Sequence, residues 1–307
     1  MLSIGIPQIE IAKAIGKHKS VISREIKRNC DQRSGLYKSD LAQRKYESRN
    51  QEKNKSVRFT DEVKEFVETH LKLKWSPEQI SNCREIIPIG KISHERIYQH
   101  IVQDQKAGGK LYEHRRRRKK YKKRLKIEET RGKIKDKKSI TERPSIVDKK
   151  LRRGDLEVDL VMGANHKGAL ITIVDRKTGI AFIRLVKSKD SKQVSRAIIN
   201  ALRRYKGIIK TITSDNGKEF ADFKTIEKEL GIKFYFADPY SSWQRGANEN
   251  FNGLVRQYYP KKTNFELLTK KEVKKVEKEI NERPRKRLGY RTPIEKFYLL
   301  TKVAFAA

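Results

Sequence analysis

The chain has 307 residues, and lysine and arginine outnumber aspartate and glutamate 74 to 38, which gives a formal net charge of +36. Such a surplus indicates a polyanionic partner, and nucleic acid is favoured over a membrane because no apolar run approaches the about 20 residues that span a bilayer. The length predicts at least two domains. Two cysteines, Cys30 and Cys83, are too few for a disulfide framework, and the first residues do not resemble a signal peptide. We therefore expect a cytoplasmic protein that binds nucleic acid.

Residues 7–29 predict two short helices joined by a turn. Apolar residues recur at helical spacing on both sides of Gly16, which permits the turn, and Ser20 is a candidate cap for the second helix. A helix-turn-helix of this kind places its second helix in the major groove of DNA; the alternative from the pattern alone is a surface helical hairpin. The predicted unit spans residues 1–50, and the side chains expected to face DNA are Ser20, Ser23, Arg24 and Lys27.

Residues 58–113 predict a second small helical unit that binds DNA. Three amphipathic segments follow Thr60, Ser76 and Ser93, each of which is a candidate N-cap. A basic linker is predicted at 114–150, because fifteen of the twenty-five residues from His114 to Lys138 are lysine or arginine. Charge runs are usually solvated, and a linker that follows the phosphate backbone of DNA is consistent with that.

The segment 151–307 alternates between strand and helix patterns, which predicts an α/β domain. Three strands come first, at about 156–162, 169–175 and 180–187. Helices at about 190–205 and 221–230 then alternate with a strand that ends before Asp215 and a short strand at 233–237, and a further helix begins at Ala247. A basic amphipathic helix from Thr269 to Pro284 forms the tail.

Acidic residues occupy three notable places in this domain. Asp215 follows a strand and precedes Asn-Gly, so it lies at the end of a strand where a side chain is accessible on a rigid support. Asp159 lies inside the apolar run LEVDLVM, where an unpaired carboxylate needs a cation. Glu249 lies near the start of the later helix. Asp155 and Glu157 compete with Asp159 for its role, and we prefer Asp159 because Asp155 lies at the strand's entry.

Three carboxylates at one point repel one another by up to about 4 kcal/mol per pair at about 4 Å. Divalent cations cancel this repulsion, and Mg²⁺ prefers oxygen ligands without histidine or cysteine. Two ions about 3.5 to 4 Å apart activate the attacking oxygen and stabilise the leaving oxygen of a phosphodiester. The pattern therefore favours phosphoryl transfer on nucleic acid, with two Mg²⁺ ions per active site and Mn²⁺ as a substitute.

Several segments carry a family resemblance: GDLEVDLVMG (154–163), TSDNGKEF (213–220), FADPYSSWQRGANENFNGLVRQYYPK (236–261) and NERPRKRLGYRTPIEKF (281–297). These four segments resemble the catalytic half of the insertion sequence 30 family of bacterial transposases. The resemblance to that family extends over nearly the whole chain. The resemblance implies a ribonuclease H-like, integrase-type catalytic domain with a mixed sheet, behind N-terminal all-α helix-turn-helix units. It implies that the catalytic and metal-binding triad is Asp159, Asp215 and Glu249. The last two are 34 positions apart (249 − 215), the separation that this family shows.

Two basic residues near this triad are candidates for binding DNA. Lys218 follows the turn after Asp215, and Arg245 lies about one helical turn before Glu249, where either side chain can reach a phosphate. Asn248 and Asn250 flank Glu249, and capping or hydrogen bonding to DNA explains them equally well.

The function expected from the resemblance is transposition. The chain is predicted to bind the terminal inverted repeats of an insertion sequence and to cut DNA hydrolytically, which leaves a 3′ hydroxyl. The same site then uses that hydroxyl to attack a second phosphodiester, and the resemblance implies a circular intermediate with joined ends. We expect double-stranded DNA as the partner, a homo-oligomer on DNA in the bacterial nucleoid, and no organic cofactor. The alternative is a catalytically inert DNA-binding regulator derived from a transposase. A retroviral-type integrase is disfavoured because the sequence has no zinc-binding His and Cys cluster.

Overall fold

The computed structural model describes residues 5–52, 59–115, 134, 136–239 and 241–305. The chain divides into two compact units, Met1–Val57 and Arg58–Ala307. Most of the predicted basic linker, residues 116–133, lies outside the described residues. The finer domain boundaries within the second unit stay predictions.

The described part of the first unit, residues 5–52, contains three helices: α1 (Gln8–Ala14), α2 (Lys19–Asn29) and α3 (Ser39–Glu52). Ile11 and Ala12 of α1 pack against Ile22 of α2, as the apolar spacing predicts. Gly16 in the connecting turn has φ +63°, a conformation that favours glycine. The predicted cap at Ser20 was wrong: His18 is the N-cap, and its ring accepts a hydrogen bond from the backbone N–H of Ser20.

The second unit begins with α4 (Asp61–Lys72), α5 (Pro77–Asn82) and α6 (His94–Lys106). The three predicted caps are confirmed, since the hydroxyls of Thr60, Ser76 and Ser93 each accept a backbone hydrogen bond at the start of the helix that follows. The helices enclose an apolar core of their own, which includes Val67, Leu71, Ile80, Ile97 and Ile101.

A mixed sheet forms the centre of the second unit. Its strands are β1 (Lys138–Ser139), β2 (Asp155–Met162), β3 (Ala169–Asp175), β4 (Ala181–Val186), β5 (Thr211–Ser214) and β6 (Lys233–Phe236). The spatial order is β1-β6-β5-β2-β3-β4. The pairs β2–β3 and β3–β4 are antiparallel, whereas β2–β5, β5–β6 and β6–β1 are parallel. The predicted mixed sheet is confirmed.

Helices cover both faces of this sheet. In chain order they are α7 (Ser145–Asp148), α8 (Ser191–Leu202), α9 (Phe223–Leu230), α10 (Gly246–Tyr258), α11 (Lys270–Asn281) and α12 (Pro293–Phe305). The side chains of β2 alternate between the faces. Leu156 and Val158 join the core under α8 and α9, and Val161 joins the core under α10 and α11. Within the described ranges, no helix has the length and apolar character needed to cross a bilayer.

Replacing Ile198 with alanine tests the packing of α8 on the sheet. Ile198 is 0% exposed, so Ile198→Ala is expected to lower the free energy of unfolding by about 2–5 kcal/mol through lost burial and a cavity. Ile87 is 70% exposed, and Ile87→Ala, the same chemical change, is expected to cost about 0.5 kcal/mol or less. Urea denaturation measures both values. Equal losses would contradict the placement of Ile198 in the core.

Candidate active site

Asp159 lies on β2, on the face that α10 covers. Its carboxylate Oδ2 accepts a hydrogen bond from Asn252 Nδ2 at 2.7 Å, and its backbone carbonyl accepts one from Thr172 Oγ1 at 3.3 Å. The single hydrogen of the Thr172 hydroxyl is shared between this carbonyl and Asn252 Oδ1, which lies 2.8 Å from Thr172 Oγ1. The strand and its neighbours therefore fix both the backbone and the side chain of Asp159.

The register of the sheet brings Asp215 next to Asp159. β2 and β5 pair in parallel with Glu157 opposite Thr213. Two residues further along each chain come Asp159 and Asp215, and neighbouring strands are about 4.8 Å apart. The backbone N–H of Gly217 donates to Asp215 Oδ1 at 3.1 Å, so the turn that ends β5 also orients this carboxylate.

Arg245 lies between the two aspartates. Its Nη1 is 3.3 Å from Asp159 Oδ1 and its Nη2 is 3.4 Å from Asp215 Oδ2, while only 14% of its side chain is exposed. Burial raises the pKa of Asp159, and the charge of Asp215 adds to the rise, whereas Arg245 lowers it. One guanidinium thus compensates two carboxylates. The predicted contact of Arg245 with DNA stays a prediction.

Glu249 lies in the first turn of α10 and is exposed. It does not line the cleft that contains Asp159 and Asp215. Among the described residues, no three histidine, cysteine, aspartate or glutamate side chains form a group that could hold a metal. The structure therefore brings together two of the three predicted triad residues and leaves the third on the neighbouring helix.

The donor chemistry at the two aspartates suits a divalent metal ion. The carboxylates present hard oxygen ligands, and they already share one positive charge in the form of Arg245. The cleft beside them has a volume of about 660 Å³. Lys218 and Lys189 line it together with Asp159 and Asp215, so the wall of the cleft carries both signs of charge. This location is consistent with the predicted role of Lys218 in binding a phosphate.

The two competing acidic residues of β2 share the face of Asp159 but have other partners. Asp155 accepts two hydrogen bonds from Arg152, at 2.9 and 3.1 Å, and a third from the Thr211 hydroxyl at 2.8 Å. Glu157 is buried, lies 3.1 Å from Arg176 Nη1, and accepts the backbone N–H of Asn248 at 2.9 Å. Neither residue lines the cleft, which supports the choice of Asp159.

Glu157 also explains how α10 is positioned. Asn248, whose N–H it accepts, directly precedes Glu249, so a buried carboxylate on β2 holds the helix turn that carries Glu249. The Asn248 side chain is itself buried, and among the described residues its amide has no hydrogen-bond partner. Its predicted roles as a cap or a DNA contact are therefore not visible in the structure.

Sequence reasoning missed Asn252, which contacts Asp159 directly. The signal was present: Asn252 comes three residues after Glu249, and on a helix this spacing places both residues on one face. The role of Glu157 had a weaker signal, since period-2 alternation along β2 puts it on the same face as Asp159 without indicating its partners.

The four predicted DNA-contacting residues of the first unit are all exposed on α2. Their spacing places them along one side of the helix, away from the packed Ile22. Arg24 Nε donates to the carbonyl of Ser20 at 3.1 Å, which holds the guanidinium along the helix surface. The residues are Ser20, Ser23, Arg24 and Lys27.

The chain is similar to proteins of known families. The family model of the integrase core domain matches residues 152–242, which include both aspartates. The chain is 48% identical to the "Transposase for insertion sequence element IS4351" of Bacteroides fragilis, over 100% of this chain and 95% of that protein. It is 32% identical to the "Probable transposase for insertion-like sequence element IS1161" of Streptococcus salivarius, over 99% of this chain and 92% of that protein. It is 36% identical to the "Transposase InsI for insertion sequence element IS30C" of Escherichia coli (strain K12), over 93% of this chain and 77% of that protein.

Removing the charge of Arg245 tests whether it compensates the two aspartates. Arg245→Gln is expected to lower the free energy of unfolding by about 1–3 kcal/mol in the presence of a chelator, because two partly buried carboxylates lose their counter-charge. Added Mg²⁺ is expected to raise the melting temperature of this variant more than that of the wild type. Arg196→Gln, at an exposed position of α8, is the matched control and is expected to change neither value. Identical melting curves for the two variants would contradict the assignment.

Proposed function

Because the chain belongs to the insertion sequence 30 family of transposases, we propose that it binds the terminal inverted repeats of an insertion sequence and catalyses metal-dependent cutting and strand transfer of DNA. The chain carries an integrase core domain with the predicted ribonuclease H-like fold, and it is an enzyme of the DNA phosphoryl transferase class. The observation that carries the finer proposal is the pair of aspartates, Asp159 and Asp215, which adjacent parallel strands hold around a single positive charge.

The proposed reaction has two steps at one site. Water attacks the phosphorus at the end of the element, the bond to the 3′ oxygen breaks, and that oxygen leaves as a hydroxyl after taking a proton. The 3′ hydroxyl then loses its proton and attacks the phosphorus of a target phosphodiester. The bond from that phosphorus to the target's own 3′ oxygen breaks, and this oxygen leaves as a hydroxyl after taking a proton. Asp159, Asp215 and Glu249 are the proposed ligands of Mg²⁺, which when bound would supply charge neutralisation and activation of the attacking oxygen.

The side chains around the aspartates have roles that follow from their contacts. Asn252 keeps one oxygen of Asp159 oriented, which leaves the other directed at Arg245. The N–H groups on the two terminal nitrogens of Arg245 can donate hydrogen bonds to a phosphate once another cation compensates the carboxylates, and the planar guanidinium matches two phosphate oxygens. Lys218, at the cleft wall, adds a second positive charge for the DNA backbone. Arg245 therefore links cation binding to DNA binding.

Glu249 completes the proposed triad from α10. In the structure it is exposed at the helix start, and Glu157 holds the preceding residue in place. A helix N-terminus carries a partial positive charge, so a carboxylate there is favourable before any metal binds. We infer that Glu249 joins the aspartates when metal and DNA are present.

The setting of the reaction follows from its substrate. Transposition joins two ends of one element, so we propose that the protein acts as a homo-oligomer on double-stranded DNA. The net charge of +36 suits this partner, because neutralising phosphates releases counterions. We propose that it acts in the bacterial cytoplasm, at the nucleoid, without an organic cofactor.

Cleavage of a labelled DNA fragment that ends in the element's own repeat tests the assigned site. Glu249→Gln keeps the shape of the side chain and removes its charge. Mutating a residue that only orients a metal ligand lowers activity by about 10- to 100-fold. Glu249 is proposed to be a ligand itself, so this variant is expected to lose at least about 100-fold in cleavage rate with Mg²⁺ or Mn²⁺. Binding to the repeat is expected to persist, and chelator is expected to stop cleavage by the wild type.

Glu229→Gln, at an exposed position of α9, is the matched control and is expected to cleave like the wild type. Full cleavage by Glu249→Gln would overturn the role of Glu249. Binding without cleavage by the wild type would favour the inert regulator instead.

The helix-turn-helix proposal is tested by the double variant Arg24→Ala, Lys27→Ala. Loss of two phosphate or base contacts is expected to weaken binding to the repeat by about 10-fold or more, and cleavage should fall with it. The double variant Lys13→Ala, Arg44→Ala is matched in charge, lies in the same unit, and removes an arginine that likewise donates to the carbonyl four residues earlier. Equal binding by both variants in an electrophoretic mobility assay would contradict the assignment of α2 as the DNA-reading helix.

A further inference from the structure

A second cleft, of about 340 Å³, opens where the helical part of the second unit meets α10. We call it the basic cleft. One wall comes from the turn between α4 and α5 and from the segment after α6, and the other comes from the C-terminal half of α10. The residues that matter most in its lining are Lys74, Glu113, His114, Arg115, Arg256 and Gln257.

The charges in the basic cleft favour an anion. Lys74, Arg115 and Arg256 are positive at neutral pH, and Glu113 is the one carboxylate among the residues that line it in the described part of the chain. Arg256 is half-buried, and its guanidinium donates to three backbone carbonyls, including that of Met162 at 3.0 Å. Carbonyls orient a guanidinium but do not neutralise it, so its positive charge remains available to a ligand.

The walls of the basic cleft are fixed relative to each other. Gln79 Nε2 of α5 donates to the carbonyl of Pro284 at 2.7 Å, and the neighbouring Arg283 donates to Gln257 Oε1 of α10 at 2.7 Å. Lys74 has φ +63° and its ammonium group lies 5.5 Å from the centre of the Tyr258 ring of α10. The positive groups are therefore held at set positions before any ligand arrives, which reduces the entropy cost of binding.

α10 connects this cleft to the active site. Glu249, Gly253 and Arg256 follow one another at spacings of four and three, which places them along one face of the helix. Arg256 comes seven positions after Glu249 (256 − 249), a distance of about 10 Å along the helix at 1.5 Å per residue. Gly253 is exposed and has no side chain, so the helix surface between the two charged positions is open.

We propose that the basic cleft binds a backbone phosphate of the DNA whose end is cut at the active site. The proposal rests on the proposed function and specifies where a second contact lies. Duplex DNA advances 3.4 Å per base pair, so a separation of about 10 Å along α10 limits this phosphate to within about three base pairs of the scissile bond. The ligand is a phosphodiester, and the site positions the strand without reading its sequence.

The double variant Lys74→Asn, Arg115→Gln tests the proposal. Asparagine tolerates the positive φ at position 74, so the charge is removed without adding backbone strain. Each phosphate contact contributes about 0.9 to the slope of log binding constant against log salt. The double variant is therefore expected to lower that slope by about one unit on a duplex that carries the terminal repeat, with weaker binding at low salt. Lys271→Gln, Lys275→Gln, at exposed positions of α11, is the matched control and is expected to keep the wild-type slope.

A scan of the DNA locates the contact with the wild-type protein, so it does not depend on how any variant folds. Neutral methylphosphonate replaces one backbone phosphate at a time near the cut. A replacement within about three base pairs of the scissile bond is expected to weaken wild-type binding, and the same replacement is expected to have little further effect on the double variant. An unchanged salt slope in the double variant, or a flat scan in this region, would overturn the proposal.

The two proposals fail in different ways. Wild-type protein that binds and cuts the repeat while the double variant keeps the wild-type salt slope would overturn the basic cleft alone. Wild-type protein that does not bind the repeat at all would overturn the proposed function and the basic cleft with it.

Discussion

The repulsion between two neighbouring carboxylates is the constraint on which the active site depends. Asp159 and Asp215 are adjacent because two parallel strands pair in one register, and two such charges about 4 Å apart repel by up to about 4 kcal/mol at an effective dielectric constant near 20. Arg245 compensates both. The strand pairing therefore brings two negative charges together, and Arg245, the residue just before α10, offsets their repulsion. These ion pairs connect the sheet to the start of α10. Glu157, which accepts a backbone N–H of α10, strengthens the same coupling from within the protein.

α10 joins features that are separate in the sequence. It contributes Asn252 to the aspartates, carries Glu249 at its start, and presents Arg256 to a cleft whose other wall belongs to the helical part of the second unit. Its apolar side packs Phe251 and Leu254 against the sheet, so the helix is a rigid support and its polar residues keep fixed distances from one another. A single helix thus relates the catalytic residues to the residues that we assign to DNA.

The sequence was informative where the signal is local. Apolar runs predicted β2, β3 and β4, serine and threonine caps predicted the starts of three helices, and the Asn-Gly turn placed Asp215 at the end of a strand. The family resemblance, confirmed by the relatives, supplied the fold class. Partners across the fold were beyond prediction: Arg245 is 86 positions from Asp159 (245 − 159), and nothing in either segment indicates the pair. The exposed place of Glu249 was also not predictable, because it depends on how α10 docks and not on its own spacing.

The strand order has a consequence for the growing chain. β2, β3 and β4 are neighbours in both sequence and space, so they can pair as soon as they leave the ribosome. β1 pairs with β6, so Lys138 can pair with Tyr235 only after 97 further residues have been made (235 − 138). β5 is made before β6 and can pair with β2 first, β6 then pairs with β5, and Arg245 follows β6 in the chain. The protein therefore acquires its paired carboxylates late in synthesis, and a ribosome that stops before residue 245 releases a sheet without the cation that compensates them.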